Sequence, residues 1–208
     1  MEFTLDGAYL NDEYLNPYSF IWPTNEYLDG VHTLAARLHK GTTYGDWVTL
    51  TSECKANGGC AEKGLQYTWL EDQLATHTES CVLAVWHRPV VSMDVKRSGG
   101  KSMLPTWSAL AGHGGDLVLN ADTRDMEEVR PMSSSLAVGQ PDSHMVELVS
   151  GAAAARWVTS NTSDSRVAWR LYRVPGAVFV HHVGDTLAWE FRSSTGEVLR
   201  SGSVGCTG

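Results

Sequence analysis

The stretch from residue 80 to residue 132 constrains the fold more than any other part of the chain. It contains two short segments, 81–86 and 117–120, that are too apolar to have a solvent-exposed face and therefore predict buried strands. Between them the sequence predicts a helix, with Pro105 in its first turn and Gly112 at its end. A strand, a helix and a second strand in this order are typical of an α/β protein.

Ionisable side chains follow both predicted strands. They belong to His87, Arg88, Asp122, Arg124 and Asp125. In open α/β sheets ligands bind where strands end at the carboxyl edge, so we expect any functional site at this position. The segment after the second strand is expected to be a polar turn, in which Glu127 and Glu128 are solvated. The alternative for this region is a surface turn of salt-bridged charges, with His87 hydrogen-bonded to backbone.

Periodicity predicts further elements on both sides of this stretch. Before it, we expect helices near 31–40 and over 64–77, and a half-buried strand over 47–51. After it, the predicted strands are 145–149, 167–172, 177–180, 186–191 and a last one around 197–201. No internal repeat and no linker divides the chain, so we predict a single domain over residues 1–208.

Charge and hydropathy exclude two classes of partner. The net charge of -8 argues against general nucleic-acid binding, because phosphate contacts need clustered Lys and Arg. No apolar run approaches the roughly 18 residues of a membrane span. The first residues of the chain lack the basic and apolar regions of a signal peptide, so we expect a cytoplasmic protein as the sequence is written.

The four cysteines, Cys54, Cys60, Cys81 and Cys206, point instead to an oxidising compartment. Four cysteines allow three pairings, and 54–60 with 81–206 is the least strained of them. The alternative is four reduced, mostly buried thiols. Their spacing does not match a Cys-x-x-Cys zinc site, so we predict no structural zinc.

Seven short motifs occur in a specific order along the chain, between residues 45 and 206. They are Gly45-Asp46-Trp47, Gly58-Gly59-Cys60, Gln66-Tyr67-x-Trp69-Leu70, Cys81-x-Leu83-Ala84-x-Trp86-His87-x-Pro89, Asp116-Leu117-Val118-Leu119-Asn120, Trp189-Glu190-Phe191 and Ser201-Gly202-Ser203-x-Gly205-Cys206. In order and spacing the chain resembles the calcineurin-like metallophosphoesterases, and most closely their secreted bacterial branch related to purple acid phosphatases. The resemblance implies an α/β (α+β) fold. It would be a partial metallophosphoesterase-like β-sandwich with flanking helices and an all-β C-terminal part.

The same resemblance implies that the family's metal site is degenerate here. The family binds two metal ions about 3.5–4 Å apart through ligands from five motifs. The first two motifs have no counterpart in this chain, and the third falls on 23–27, where Asn25 replaces the catalytic histidine. The fourth survives as His87, whereas Asp122 and Arg124 replace the two histidines of the fifth. Since Arg124 adds a permanent positive charge, we expect no bound metal and no cofactor.

We therefore predict a degenerate metallophosphoesterase-fold protein that has lost phosphatase chemistry. It would bind or convert a small organic molecule, by metal-independent acid/base cyclisation or isomerisation in the former active-site cavity. His87 would transfer the proton, Asp122 would orient it, and Arg124 would hold an anion or carbonyl. The predicted ligand-binding residues are Asn25, Glu26, Tyr27, Trp86, Arg88 and Asp125.

Two other functions and several assemblies remain open. One is a residual metal-dependent phosphoesterase or hydrolase in which His87, Asp122 and Asn25 hold a single metal. The other is a non-catalytic pseudo-enzyme that acts as a partner subunit. Because a sandwich without its N-terminal part would uncover apolar surface, we predict a homodimer. A second polypeptide or the aromatic N-terminal segment could cover that surface instead. The ancestry implied by the resemblance is secreted.

Overall fold

The computed structural model describes residues 2–5, 8–12, 34–40, 43–54, 59–77, 79–94, 101–153 and 163–207, with side chains described from residue 47 onward. The predicted ligand-binding residues Asn25, Glu26 and Tyr27 lie outside these ranges.

The described residues form twelve strands and two helices. The strands are β1 (Glu2–Leu5), β2 (Ala8–Asp12), β3 (Leu34–Lys40), β4 (Thr43–Thr49), β5 (Cys81–Val85), β6 (Leu117–Asn120), β7 (Asp125–Met132), β8 (Met145–Ser150), β9 (Val167–Tyr172), β10 (Gly176–His182), β11 (Thr186–Ser193) and β12 (Val198–Gly205). The helices are α1 (Leu65–Thr76) and α2 (Leu104–Gly112). Neither helix in this part of the chain is long and apolar enough to cross a membrane.

The strands form two sheets. The larger has nine strands in the order β2-β1-β3-β4-β5-β6-β8-β7-β9, and the smaller has three in the order β10-β11-β12. The neighbours β4, β5, β6 and β8 run parallel, while the other pairs in both sheets are antiparallel. Strands β5 and β6 therefore lie in the middle of the large sheet and end at the same edge.

Each face of the large sheet is covered by a separate apolar core. Val82 and Val118 point to the face that carries the helices, where they share a core with Trp107 of α2. Leu83, which follows Val82, and Leu117, which precedes Val118, point to the small sheet and share a core with its Phe191. Because successive side chains of a strand alternate between faces, β5 and the part of β6 before Asn120 must be apolar. The prediction of two buried strands is confirmed, since every residue of β5 and β6 is buried except Val85 and Leu119, which are partly buried.

The predicted fold class is also confirmed, since the structure is a mixed α/β arrangement of two sheets and two helices, with an all-β C-terminal part. Helix α2 begins as predicted, with Pro105 in its first turn, and His113 caps its C-terminus. Both predicted disulfides are formed, Cys54–Cys60 and Cys81–Cys206.

Two local predictions were wrong. The helix expected near 31–40 is strand β3, which pairs with β1 on one side and β4 on the other. Its Ala, Leu, Arg and Lys residues favour a helix in isolation, but pairing with two neighbouring strands overrides that weak local preference. The polar turn expected up to residue 132 is instead largely strand β7, which begins at Asp125 and lies between β8 and β9.

Candidate functional site at the edge of strands β5 and β6

The ends of β5 and β6 bring two of the three predicted catalytic residues together. Backbone hydrogen bonds continue past both strands, since the N–H of Trp86 donates to Leu119 O (3.1 Å) and the N–H of Ala121 donates to His87 O (2.9 Å). The imidazole Nε2 of His87 consequently lies 3.5 Å from Oδ1 of Asp122. The His87 side chain is 56% exposed and that of Asp122 18%, so the pair lies at the protein surface with the carboxylate set further in.

Asp122 takes an unusual backbone conformation. Its φ of 53° lies in the left-handed region, which aspartate tolerates better than most residues other than glycine. The turn is closed by Thr123, whose N–H donates to Ala121 O (2.6 Å). Gly151 packs against the Thr123 carbonyl so closely that a Cβ atom at position 151 would overlap the carbonyl oxygen. The backbone of the turn that carries Asp122 is therefore fixed by close packing.

Arg124, the third predicted catalytic residue, is half-buried and follows Asp122 in the same turn. Among the predicted ligand-binding residues, Arg88 lies at the surface, where its guanidinium pairs with Glu53 (Nη2–Oε1, 2.9 Å). Trp86 is buried, and its indole N–H donates to Arg88 O (2.8 Å). Asp125 is buried and is bound by Arg170 (Nε–Oδ2, 2.6 Å), which places its carboxylate inside the protein.

Two buried polar atoms lie beside the pair. Asn120, the last residue of β6, donates from Nδ2 to Trp86 O (2.9 Å), which ties the ends of β5 and β6 together. Its Oδ1 atom is buried, as is the hydroxyl of Thr123, and neither has a hydrogen-bond partner among the described residues. Buried polar atoms of this kind are rare in proteins and are often satisfied by a water or a ligand.

Two buried glutamates that the sequence analysis missed fix the segment after His87. Both carboxylate oxygens of Glu147 accept backbone hydrogen bonds, from Val90 N–H (2.7 Å) and Val91 N–H (3.0 Å). Glu127 accepts from Met93 N–H at 3.1 and 3.2 Å. The chain leaving the His87 end of β5 is thus held against the large sheet by two side chains from β8 and β7.

Burial dominates the electrostatics of these glutamates. It raises the pKa of Glu147 from its usual 4.5 to about 8, against the lowering effect of the two backbone N–H groups. Burial also raises the pKa of Glu127, and the nearby Asp125 carboxylate raises it further. Arg170 partly offsets this effect, because its Nε lies 2.6 Å from Asp125 Oδ2 and 3.4 Å from Glu127 Oε1.

The expectation that Glu127 is solvated was therefore wrong, since its side chain is 0% exposed. Glu128 is also not simply solvated, because its Oε2 accepts from Arg200 Nε at 2.6 Å. The sequence held one usable signal for the buried cluster, which was Glu147 between two apolar residues on either side, Met145-Val146 and Leu148-Val149. A carboxylate inside an otherwise fully apolar strand indicates a specific buried partner.

The described residues at this edge do not fit a dinuclear metal centre. They supply one imidazole and one carboxylate, His87 and Asp122, and Arg124 brings a cation into the same turn. In the described part of the chain, the group of three or more His, Cys, Asp or Glu residues with converging ligand atoms lies elsewhere, at Cys81, His182 and Cys206. The described residues at this edge therefore supply too few ligands for two metal ions.

A cavity of about 470 Å³ is found in another part of the structure. It is lined by residues at the start of β10 and the end of β11, including Phe179, Arg192 and Ser194. It does not include His87 or Asp122, so the candidate site is an exposed strand edge rather than this cavity.

Comparison with solved structures identifies the fold. The chain is similar to a purple acid phosphatase from yellow lupin seeds, with 13% identity, a TM-score of 0.64, and coverage of 83% of this chain and 33% of that one. It is also similar to GAP50 of Plasmodium (14% identity, TM-score 0.61, 84% of this chain and 54% of that one). A third similar structure is PhoD (10% identity, TM-score 0.51, 82% and 40%).

The chain has a metallophosphoesterase-like fold. It spans between about a third and about half of the length of these three proteins. No protein-family model matches it, and no curated protein sequence matches it. At such low identity the likeness concerns the fold alone, because one fold can carry many different chemistries.

Proposed function

We propose that this metallophosphoesterase-fold protein uses the β5–β6 edge for acid/base chemistry on a small organic molecule, without the family's metal pair. The observation that carries the proposal is the His87–Asp122 pair, with Nε2 and Oδ1 3.5 Å apart at the carboxyl edge of the central strands. An exposed imidazole oriented by a partly buried carboxylate is a common acid/base arrangement. Such contacts are often long without a ligand and shorten when one binds.

The proposed chemistry is a proton transfer between two atoms of one molecule. The Asp122 carboxylate faces Nε2 of His87, so we assign the proton of the neutral His87 imidazole to Nε2. The other ring nitrogen, Nδ1, then acts as the base. Nδ1 takes a proton from a carbon next to a carbonyl group, and the electron pair of the C–H bond moves to the carbonyl oxygen. Asp122 stabilises the imidazolium that forms. Return of the proton to a different atom completes an isomerisation. In a cyclisation the enolate carbon instead attacks a second carbonyl carbon of the same molecule, and the oxygen of that carbonyl takes up the proton.

Arg124 selects the class of substrate in this proposal. Its guanidinium carries a permanent charge and can bind a carboxylate through two parallel hydrogen bonds. A molecule that combines a carboxylate with a C–H group acidified by a carbonyl matches both requirements. Small 2-oxo acids are the simplest compounds of this kind.

The test is proton exchange in such compounds. Chelator-treated protein is incubated in D₂O with a panel of small 2-oxo acids, and loss of the C–H signal is followed by NMR. Wild type is expected to accelerate exchange, and His87→Gln to slow it by about 100-fold or more, because a positioned acid/base group contributes about 10²–10⁴-fold. His181→Gln, at an exposed histidine on β10, is the matched control. Equal exchange by wild type and His87→Gln would overturn the proposal.

The residual-hydrolase alternative is tested with an aryl phosphate and by metal analysis of the oxidised protein. One or two metal ions per chain, together with hydrolysis that His87→Gln abolishes, would replace acid/base chemistry with metal-dependent hydrolysis. Neither metal nor hydrolysis is expected under the proposal.

A second candidate function is a non-catalytic anchor or partner subunit. It is favoured by the likeness to GAP50, which is described as the anchor in the inner membrane complex of Plasmodium. This function predicts no exchange and no rise in melting temperature with any 2-oxo acid, since only a compound that binds the native state stabilises it. We also propose a homodimer, which an equilibrium mass measurement showing only monomer would refute.

A further inference from the structure

Three potential metal ligands from three separate elements meet at the opposite end of β5. Cys81 is the first residue of β5, His182 is the last residue of β10, and Cys206 follows β12. The imidazole Nε2 of His182 lies 3.2 Å from the sulfur of Cys81. The ligand atoms of all three residues lie within 4.8 Å of one another.

The register of the small sheet places His182 there. His182 pairs with Leu187 on β11, and Leu187 pairs in turn with Val204 on β12, two residues before Cys206. The neighbouring His181 points to the opposite face of the strand and is exposed. The sheet thus directs His182, but not His181, at the disulfide. A variant of His181 is therefore a matched control for a variant of His182.

Hydrogen bonds hold the two cysteine segments together without the disulfide. The buried Asp116 accepts from Val82 N–H through Oδ2 (2.8 Å) and from Thr207 N–H through Oδ1 (2.9 Å), so one carboxylate bridges the residues that follow Cys81 and Cys206. On the other side, Cys206 N–H donates to Asp185 O (2.9 Å). These contacts do not involve sulfur and would keep both cysteines in place after reduction.

We propose that reduction of the Cys81–Cys206 disulfide converts this cluster into a binding site for a thiophilic divalent cation of the Zn²⁺ class. A dithiol supplies two electrons and two protons, leaves as its own cyclic disulfide, and produces two cysteine thiols. The cation then displaces both thiol protons and is held by two thiolates and the imidazole Nε2 of His182. In the oxidised protein the sulfurs are joined to each other and the site does not exist.

The distances suit this cation. Zn–S bonds of about 2.3 Å in a tetrahedron place two thiolates about 3.8 Å apart, which the opened cysteines reach by rotation of one side chain. The existing 3.2 Å between Cys81 Sγ and His182 Nε2 already approximates a ligand–ligand edge. Sulfur and imidazole together favour zinc over magnesium or calcium, which take oxygen ligands.

Three protein ligands leave the fourth position of a tetrahedral site to solvent. Asp185 is exposed, and its Oδ1 accepts from the hydroxyl of Ser80, the residue before Cys81 (3.1 Å). A water would complete the tetrahedron. The Cys-x-x-Cys criterion could not find the site, because its ligands are 101 and 24 residues apart in sequence (182 − 81 and 206 − 182).

The test is Co²⁺ titration of the full chain before and after reduction with a phosphine, with excess phosphine removed under inert gas. Thiolate–cobalt bonds give a charge-transfer band in the near ultraviolet, and a tetrahedral site gives visible d–d bands. We expect one Co²⁺ per chain in the reduced protein, displaced by Zn²⁺, and none in the oxidised protein. His182→Ala should weaken binding by more than about 100-fold, since groups that only orient a ligand already contribute about 10–100-fold. His181→Ala should leave it unchanged.

The second disulfide provides the other control. Cys54–Cys60 belongs to no potential metal-binding group in the described part of the chain. Cys54→Ser/Cys60→Ser should therefore keep the cobalt spectrum, and Cys81→Ser should abolish it. Circular dichroism of each reduced variant shows whether it is folded, and His182→Gln replaces His182→Ala if that variant unfolds. Absence of both bands in folded, reduced wild type would overturn the proposal, as would unchanged affinity in both His182 variants.

Discussion

Replacing Arg170 by methionine should destabilise the protein by about 3–5 kcal/mol at pH 7, because it removes one partner of a buried ion pair. The Arg170 side chain is only 10% exposed, and those of Asp125 and Glu127 are 1% and 0% exposed. Asp125 Oδ2 would lose its donor at 2.6 Å, while Oδ1 has no hydrogen-bond partner among the described residues. A buried carboxylate without a donor cannot recover this loss from solvent.

Urea unfolding of the oxidised protein measures this effect. Arg88→Met is the matched control, because its pair with Glu53 is exposed (44% and 53%) and should contribute at most about 1 kcal/mol. Adding Asp125→Asn to Arg170→Met should restore part of the stability, since no uncompensated charge then remains at that position. A loss below about 1 kcal/mol in Arg170→Met, or an equal loss in Arg88→Met, would refute the buried-pair argument.

Two further predictions concern the same region. Because the folded pKa of Glu147 is about 8 against a usual 4.5, the folded state holds a proton that the unfolded state has lost. This group alone should therefore lower stability by up to about 1.4 kcal/mol per pH unit as pH rises through this window. Urea midpoints from pH 5 to 8 measure the slope, and an unchanged slope in Glu147→Gln would contradict the prediction. Gly151→Ala should cost at least about 1–3 kcal/mol and move the Asp122 turn, because the new Cβ overlaps the Thr123 carbonyl. Gly112→Ala, where the Cβ has open space, should not destabilise the protein, and equal melting temperatures for the two variants would contradict the overlap.

The sequence predicted those elements whose local pattern and final environment agree. Strands β5 and β6 are apolar up to Asn120 because both of their faces are covered, and helix α2 carries its own start signal in Pro105. The pair His87 and Asp122 was predictable for the same reason, since parallel neighbours end at a common edge.

The parts that could not be predicted depend on contacts distant in sequence. Strand β7 reads as polar because it carries Asp125, Glu127 and Glu128, whose partners come from β9, from the segment around Met93 and from Arg200 on β12. Local composition contains no information about those partners. The helix predicted at strand β3 was wrong for a different reason. The helix-favouring residues of β3 are held in a strand by pairing with β1 and β4.

Strand β5 connects the two sites proposed above. Cys81 begins the strand and His87 lies just beyond its end, about 20 Å away at a rise of about 3.3 Å per residue. Between them the backbone is hydrogen-bonded to β4 on one side and β6 on the other, so its amide protons should exchange slowly with solvent. Amide exchange along this single strand can therefore follow both sites at once. Faster exchange confined to the Cys81 end would report an opened disulfide. Changes in exchange confined to the His87 end would report a bound organic molecule.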